Sequence, residues 1–299
     1  MLSCIGIGSN AIRLLEADWR DGELIIVKRE RRGTRLFAGL VDGKLETSSM
    51  QRSAEAVIEL ADIAKEDKTE GLFIMATSAV RDAENGHLFT EACESGTGAK
   101  VEILSGEEEA VYSYFGAARG GASGVIDIGG GSTEFTLGED ASVHGASSLQ
   151  MGAVRMYEQI PVQSVADYRK TVDICRNIIE DNKDRLCWKK ELTYDWTGVG
   201  GTMTTLGAMS QKIPLFDPVA SEGMVMPYEE VRQWGEWLSG LSMDERKNVA
   251  GLMPHRADII PSGIAILDAA MSYYDIPRMR LSARGNLDGF LKKRFLERA

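Results

Sequence analysis

The chain is poor in the features that mark several functional classes. Its four cysteines, Cys4, Cys93, Cys175 and Cys187, form no CxxC pair and no cysteine–histidine spacing. That scatter excludes a disulfide framework and a thiolate zinc site, and implies buried thiols in a reducing compartment. No apolar run reaches the roughly 18 residues a spanning helix needs. The N-terminus has no basic stretch ahead of a long apolar one, so no signal peptide is expected and the cytoplasm is the expected location. Positive charge is short as well: 34 Lys and Arg against 45 Asp and Glu give a formal net charge of −11. General binding to nucleic acid or to an anionic membrane is therefore not expected, whereas a phosphorylated ligand depends on local field and stays compatible.

What is present fits a soluble globular chain of 299 residues, 43% hydrophobic and 26% charged, long enough for two domains. The most informative stretch is Val125-Ile126-Asp127-Ile128-Gly129-Gly130-Gly131-Ser132-Thr133-Glu134-Phe135. Its β-branched start reads as a buried strand, and Phe135-Thr136-Leu137 as the strand leaving a tight hairpin. Glycines in the turn let main-chain N–H groups approach a ligand, and successive N–H groups in one concavity bind phosphate. Asp127 and Glu134 would repel a phosphate unless a divalent cation stood with it, so the stretch predicts phosphate plus metal.

In chain order, residues 3–8, 12–17 and 24–27 read as strands, with Asp21-Gly22 as a hairpin turn. A helix is predicted over 48–65, its apolar stripe formed by Met50, Ala54, Val57, Ile58, Ala61 and Ala64. A strand over 72–77 feeds a helix start at Ser78, followed by a helix over 87–94 and a strand over 101–104. Ser105 is the expected N-cap of a helix whose first turn holds Glu107, Glu108 and Glu109. Gly120–Gly124 reads as the boundary, predicting domains 1–121 and 122–299 with the last helix packing back on the first. Beyond it come strands at 123–128, 132–138 and 141–148 and helices at 151–158 and 164–185. A strand over 192–197, a glycine turn over 198–202 and a helix to 209 follow; 212–224 reads as irregular. Helices at 227–239, 243–250 and 256–274, the last either kinked at Pro261 or separated there from a short preceding turn, precede a strand at 279–282 and a helix at 287–297. The basic run Lys28–Arg35 reads either as a solvated edge strand or as a guide for a polyanion. Strand alternation would send Arg29 and Arg31 to one face, and Lys28 and Arg32 to the other.

Residues 5–11 lie at a constant offset of 121 positions (Gly6 to Asp127) from residues 126–132. The chain is thus an internal repeat, which predicts two α/β halves with two phosphate-holding hairpins across a cleft.

These segments, in this order, resemble the Ppx/GppA (exopolyphosphatase/guanosine pentaphosphate phosphatase) family of the actin–Hsp70–sugar kinase superfamily. The resemblance rests on Ile7-Gly8-Ser9-Asn10, Ala76–Gly86, Leu104–Ala110, Asp127–Glu134, Met151–Arg155, Gly198–Thr202 and Arg256–Gly263. It implies two duplicated actin-like (ribonuclease H-like) domains, in the short form without the added C-terminal helical domain. It implies a metal-dependent phosphohydrolase releasing terminal phosphate from inorganic polyphosphate or guanosine pentaphosphate. By the same resemblance Glu109 matches the carboxylate that directs the attacking water, and Arg81 an arginine that binds phosphate. Gly8, Ser9 and Asn10 match the first phosphate hairpin, and Gly129, Gly130, Gly131, Ser132 and Thr133 the second. Gly201 and Thr202 match a further phosphate or nucleoside contact; Asp127 and Glu134 are the metal ligands, for Mg²⁺ or Mn²⁺. The implied partners are those substrates and a second copy of the chain in a homodimer, with no nucleic acid and no membrane.

The chain departs from the family pattern where Asp is usual and it has Gly6, and where Ser is usual and it has Ala11. It also reads Gly285-Asn286-Leu287-Asp288-Gly289 where Gly-Leu-Arg-Glu-Gly is usual. Fewer carboxylates around one cation weaken its binding or slow turnover. A protein that holds a polyphosphate or nucleotide without hydrolysing it is the competing expectation. A superfamily kinase is disfavoured by the Ala76–Gly86 and Glu109 segments.

Overall fold

The computed structural model describes residues 1–185, 193–213 and 219–298. Strands β1 (Leu2–Ile7), β2 (Ala11–Arg20) and β3 (Glu23–Gly33) form an antiparallel meander. Asp21 and Gly22, both at positive φ, make the turn between β2 and β3, as an Asp-Gly hairpin requires. A small hairpin, β4 (Leu40–Val41) and β5 (Lys44–Leu45), leads to α1 (Thr47–Glu66). Next come β6 (Leu72–Ala76), α2 (Ser78–Arg81), α3 (Gly86–Thr97), β7 (Val101–Ile103) and α4 (Gly106–Ala117).

The pattern then restarts with β8 (Ala122–Ile128), β9 (Thr133–Glu139) and β10 (Ser142–Leu149). Helices α5 (Ala153–Gln159) and α6 (Val165–Asp181) precede β11 (Asp195–Gly200) and α7 (Gly201–Ser210). The remainder is β12 (Val225–Pro227), α8 (Tyr228–Gly240), α9 (Met243–Lys247), α10 (Ile260–Tyr273), β13 (Arg278–Leu281) and α11 (Asn286–Leu296). The chain divides into two compact units, Met1–Gly116 with Asn286–Ala299, and Ala117–Gly285.

Each unit holds one main sheet, and the two share their connectivity over five strands, with β12 added at the edge of the second. The first has strand order β3-β2-β1-β6-β7 and the second β10-β9-β8-β11-β13-β12. In both, an antiparallel meander is extended by parallel strands, β6 and β7 in one and β11 and β13 in the other. The duplication holds at single-residue level. Gly6 faces Arg13 across β1 and β2, and Asp127 faces Glu134 across β8 and β9. The Gly8 N–H donates to the Ala11 carbonyl at 3.2 Å, and the Gly129 N–H to the Ser132 carbonyl at 3.0 Å. Each pair is related by the same offset of 121 seen in the sequence.

Packing follows from strands buried on both faces. Every residue of β1 is buried, since the sheet is covered by α1 on one side and α11 on the other. The first core joins Leu2, Cys4, Leu15, Met75, Tyr112, Leu287 and Phe290. Phe290 meets the rings of Phe73 and Tyr112 edge-on at 5.8 and 5.2 Å. The second core surrounds α10, which is buried along nearly its whole length. There Asp268 accepts hydrogen bonds from Tyr168 and Tyr228 at 2.8 and 2.9 Å, tying α10 to α6 and α8. Cys4, Cys93 and Cys175 are buried free thiols, and burial pushes Cys93 and Cys175 up to about 12; Cys187 lies outside the described residues.

Several expectations are corrected. The α1 stripe buries Ser53, Ala56 and Leu60 with Ala54, Val57, Ala61 and Ala64, while Met50 and Ile58 are only half-buried. Gly198 and Gly200 belong to β11 rather than to a turn, because the strand continues up to α7; Leu192 lies outside the described residues. Of the two expectations for Pro261 the kink is wrong and the separated turn is right: a short 3-10 turn at Pro254–Arg256 precedes α10, and Pro261 sits in the first turn of α10, where its missing N–H costs nothing. Residues Val225–Pro227 form an unforeseen edge strand on β13.

Candidate functional site

The three glutamates of α4 separate by role. Ser105 accepts from the Glu108 N–H at 3.2 Å and its own N–H donates to Glu108 Oε2 at 2.8 Å, a reciprocal capping box. Those contacts hold the Glu108 carboxyl below its ordinary value. Glu107 is exposed, whereas Glu109 turns inward at 6% exposure. Helix capping therefore engages Glu108 and leaves Glu109 for another purpose.

Glu109 Oε2 lies 3.4 Å from Nη1 of Arg81, and its Oε1 lies 3.4 Å from Nδ2 of Asn286. Arg81 ends the short helix α2, and its Nη1 also donates to the Leu104 carbonyl at 2.8 Å. Its Nη2 is buried and, among the described residues, makes no hydrogen bond. A buried guanidinium donor without an acceptor costs about 1–3 kcal/mol, so an anionic oxygen there would relieve it. Beside it, at the first hairpin, Ser9 and Ser78 share a hydrogen bond at 2.9 Å, and Asn10 Oδ1 is buried without one among the described residues. Gly8 closes that hairpin. The structure thus brings Arg81 together with Glu109, and Ser9 with the start of α2.

Position 6 offers no ligand. An ideal Cβ on Gly6 would stand 2.9 Å from Leu287 Cδ1, inside the first core. The cross-strand partner of Gly6 is Arg13, whose Nη2 donates to Asn286 Oδ1 at 3.1 Å.

In the second unit the triple-glycine hairpin is gripped by the start of α5. The Gly129 carbonyl accepts from the Ala153 N–H at 2.9 Å and the Gly130 carbonyl from the Val154 N–H at 2.9 Å. Arg155 Nε donates to the Gly131 carbonyl at 2.6 Å, and the Thr133 hydroxyl donates to the Met151 carbonyl. Gly152 permits this approach: a Cβ there would lie 2.3 Å from the Gly130 oxygen. With their carbonyls engaged, Gly130 and Gly131 keep N–H groups that, among the described residues, donate to nothing. Such a pair suits an anion.

Asp127 and Glu134 stand directly opposite each other on β8 and β9, 8% and 1% exposed. Ser148 donates to Glu134 Oε1 at 2.7 Å. Among the described residues no group of three or more His, Cys, Asp or Glu side chains could hold an ion. Asp127 and Glu134 are the two adjacent buried carboxylates that could hold an ion there, and their chemistry fits Mg²⁺, which binds through one or two carboxylates and keeps waters or phosphate oxygens for the rest.

Gly200, at φ 97°, ends β11, where a Cβ would fall 2.9 Å from Asp127 Oδ1. α7 begins there with Gly201 and Thr202; Thr202 is buried, and its hydroxyl makes no hydrogen bond among the described residues. A Cβ on Gly201 would meet the Arg256 guanidinium at 2.3 Å. The sequence reading assigned no role to Arg256, Arg13 or Asn286. Arg256 meets Gly201, and Asn286 meets Arg13 and Glu109, from distant chain positions, and no local pattern announces that. Lys28, Arg29 and Arg32 of the basic run are ion-paired with Asp67, Asp288 and Glu59, so β3 uses these charges to fasten neighbouring elements. No helix among the described residues is long and apolar enough to cross a membrane.

Comparison with known proteins bears on the family and the fold. Exopolyphosphatase 2 of Mycobacterium tuberculosis is 31% identical over 284 residues, covering 89% of this chain and 88% of that protein. The guanosine-5'-triphosphate,3'-diphosphate pyrophosphatase of Vibrio atlanticus is 29% identical, covering 97% of this chain, which spans 58% of that longer protein. The crystal structure of the Ppx/GppA family member of Aquifex aeolicus matches with a TM-score of 0.82 and 27% identity, over 99% of this chain and 98% of that one. The model of the Ppx/GppA phosphatase family matches residues 17–297. With that match and the duplicated actin-like fold, the chain belongs to the Ppx/GppA phosphatase family.

Proposed function

We propose that the protein is a metal-dependent phosphohydrolase that removes the terminal phosphate of inorganic polyphosphate or of guanosine pentaphosphate. The observation that carries this reading is the Glu109–Arg81 pair: a buried carboxylate spared from helix capping, beside a guanidinium with an unused buried donor. Glu109 orients a water and takes its proton as the water oxygen attacks the terminal phosphorus. The bond from that phosphorus to the bridging oxygen breaks, its electron pair stays on the leaving phosphate, and orthophosphate departs. Arg81 holds the terminal group through its free donor. In the second unit, Gly130 and Gly131 offer N–H groups to phosphate oxygens, and Asp127 and Glu134 are the residues that would hold Mg²⁺ or Mn²⁺. The bound ion would supply neutralisation of phosphate charge. The names of the two relatives, an exopolyphosphatase and a guanosine-5'-triphosphate,3'-diphosphate pyrophosphatase, support the same two substrates.

The test is phosphate release from both substrates with Mg²⁺, comparing the natural protein with Glu109→Gln. A loss of about 100-fold or more is expected in the variant. Equal rates would remove Glu109 from the mechanism.

A second reading, retention of a polyphosphate or nucleotide without hydrolysis, is favoured by one observation. Leu287 fills the place of a side chain at Gly6, so the first hairpin lacks the carboxylate that its twin has at Asp127. Submicromolar binding of either compound, with no phosphate released at any Mg²⁺ concentration, would decide for it.

A further inference from the structure

We infer that Asn286 is a positioning residue for Glu109, linking it to Arg13 and holding the carboxylate in the orientation a general base needs. The inference rests on the reading of Glu109 as that base. Asn286 opens α11 and is 4% exposed. Its Oδ1 accepts from Arg13 Nη2 at 3.1 Å, and its Nδ2 donates to Glu109 Oε1 at 3.4 Å. The charges on either side fix the amide: turned over, its oxygen would face a carboxylate and its NH₂ a guanidinium. Glu109 Oε2 is held separately by Arg81 Nη1 at 3.4 Å.

The two oxygens of Glu109 are thus restrained by donors from α11 and α2. Both contacts are long, as catalytic hydrogen bonds often are before substrate binds. The amide is itself anchored. Leu287, the next residue, packs against Gly6 of β1, and Phe290, one turn on, lies between Phe73 and Tyr112. Arg13 polarises the amide from behind, so its charge reaches Glu109 without a direct ion pair. Nothing in the segment around 286 suggests this role, because the partners are 177 and 273 residues away.

The experiment compares Asn286→Leu, which deletes both hydrogen bonds, with the nearly isosteric Asn286→Asp, which places a carboxylate against Glu109. Asn286→Leu is expected to lower kcat roughly 10- to 100-fold with KM changed less than about 2-fold, since a misplaced base costs the transition state rather than binding. Asn286→Asp should move the acid limb of the rate profile to higher pH and raise the titration midpoint of the ¹³C-labelled Glu109 carboxyl. That second readout needs no turnover, and should Asn286→Leu fail to fold, Asn286→Asp carries the decision. Native rates and an unchanged Glu109 titration in the folded variants, beside an inactive Glu109→Gln, overturn the role of Asn286 alone. Full activity of Glu109→Gln overturns the base reading and this role with it.

Discussion

Leu287 occupies the space into which a side chain on Gly6 would project, its Cδ1 2.9 Å from the ideal Cβ position. Two departures from the family pattern, 281 positions apart in the chain (Gly6 to Leu287), are therefore one packing unit. A carboxylate at position 6 and a leucine at position 287 exclude each other without repacking, and the carboxylate would also lie against an apolar core.

This predicts a coupled stability effect. Gly6→Ala should cost about 1–3 kcal/mol through overpacking. Leu287→Ala alone should cost about 2–5 kcal/mol through the cavity it leaves. The double variant should be more stable than the summed losses imply, by about 0.5 kcal/mol or more. Urea unfolding of the four proteins measures it; simple additivity would dissolve the pair.

Metal affinity should follow the second hairpin. Asp127→Asn and Glu134→Gln should each weaken Mn²⁺ binding about tenfold or more, given that even losing a hydrogen-bond partner of a metal ligand costs that much. Gly6→Ala should leave it unchanged. Paramagnetic resonance titration of free Mn²⁺ reads this without turnover, and unchanged affinity in Asp127→Asn would move the ion elsewhere.

Asp268 should give the second unit a distinct pH dependence. Burial raises its carboxyl above the ordinary 3.8, although the Tyr168 and Tyr228 hydroxyls partly oppose the shift. A raised folded-state pKa means the folded protein binds the proton more tightly, so the contribution is full below 3.8 and is lost as pH rises through the folded value. The thermal midpoint of the natural protein, relative to Asp268→Asn, should accordingly rise as pH is lowered from neutrality toward 4. A constant or falling difference would contradict it.

The C-terminal helix should be part of the first core rather than an appendage. Phe290 is fully buried, and Phe290→Ala should cost about 3–5 kcal/mol. Calorimetry tests this. A loss under about 1 kcal/mol, the scale of a surface change, would show the helix to be dispensable.

The duplication, the element order and the glycine hairpins were legible because they rest on local chemistry. Alternating or continuous apolar runs specify strands, Asp-Gly and triple glycine specify turns, and the 121-residue offset exposes the repeat. The offset even carries the register, with Gly6 facing Arg13 as Asp127 faces Glu134. The N-cap at Ser105 was legible for the same reason, since a capping box spans three residues. The Ser-x-x-Glu spacing also designates Glu108 as its partner. That Glu109 turns toward Arg81 depends on the direction of α4 against α2, set by packing. Asn286 on Glu109, Arg256 over Gly201 and Leu287 in the place of a side chain on Gly6 were beyond reach too. Sequence by itself determined what each segment can form, because hydrogen bonding and periodicity act over a few residues. Only the tertiary structure decided which side chains meet, because burial brings together residues that no local rule relates.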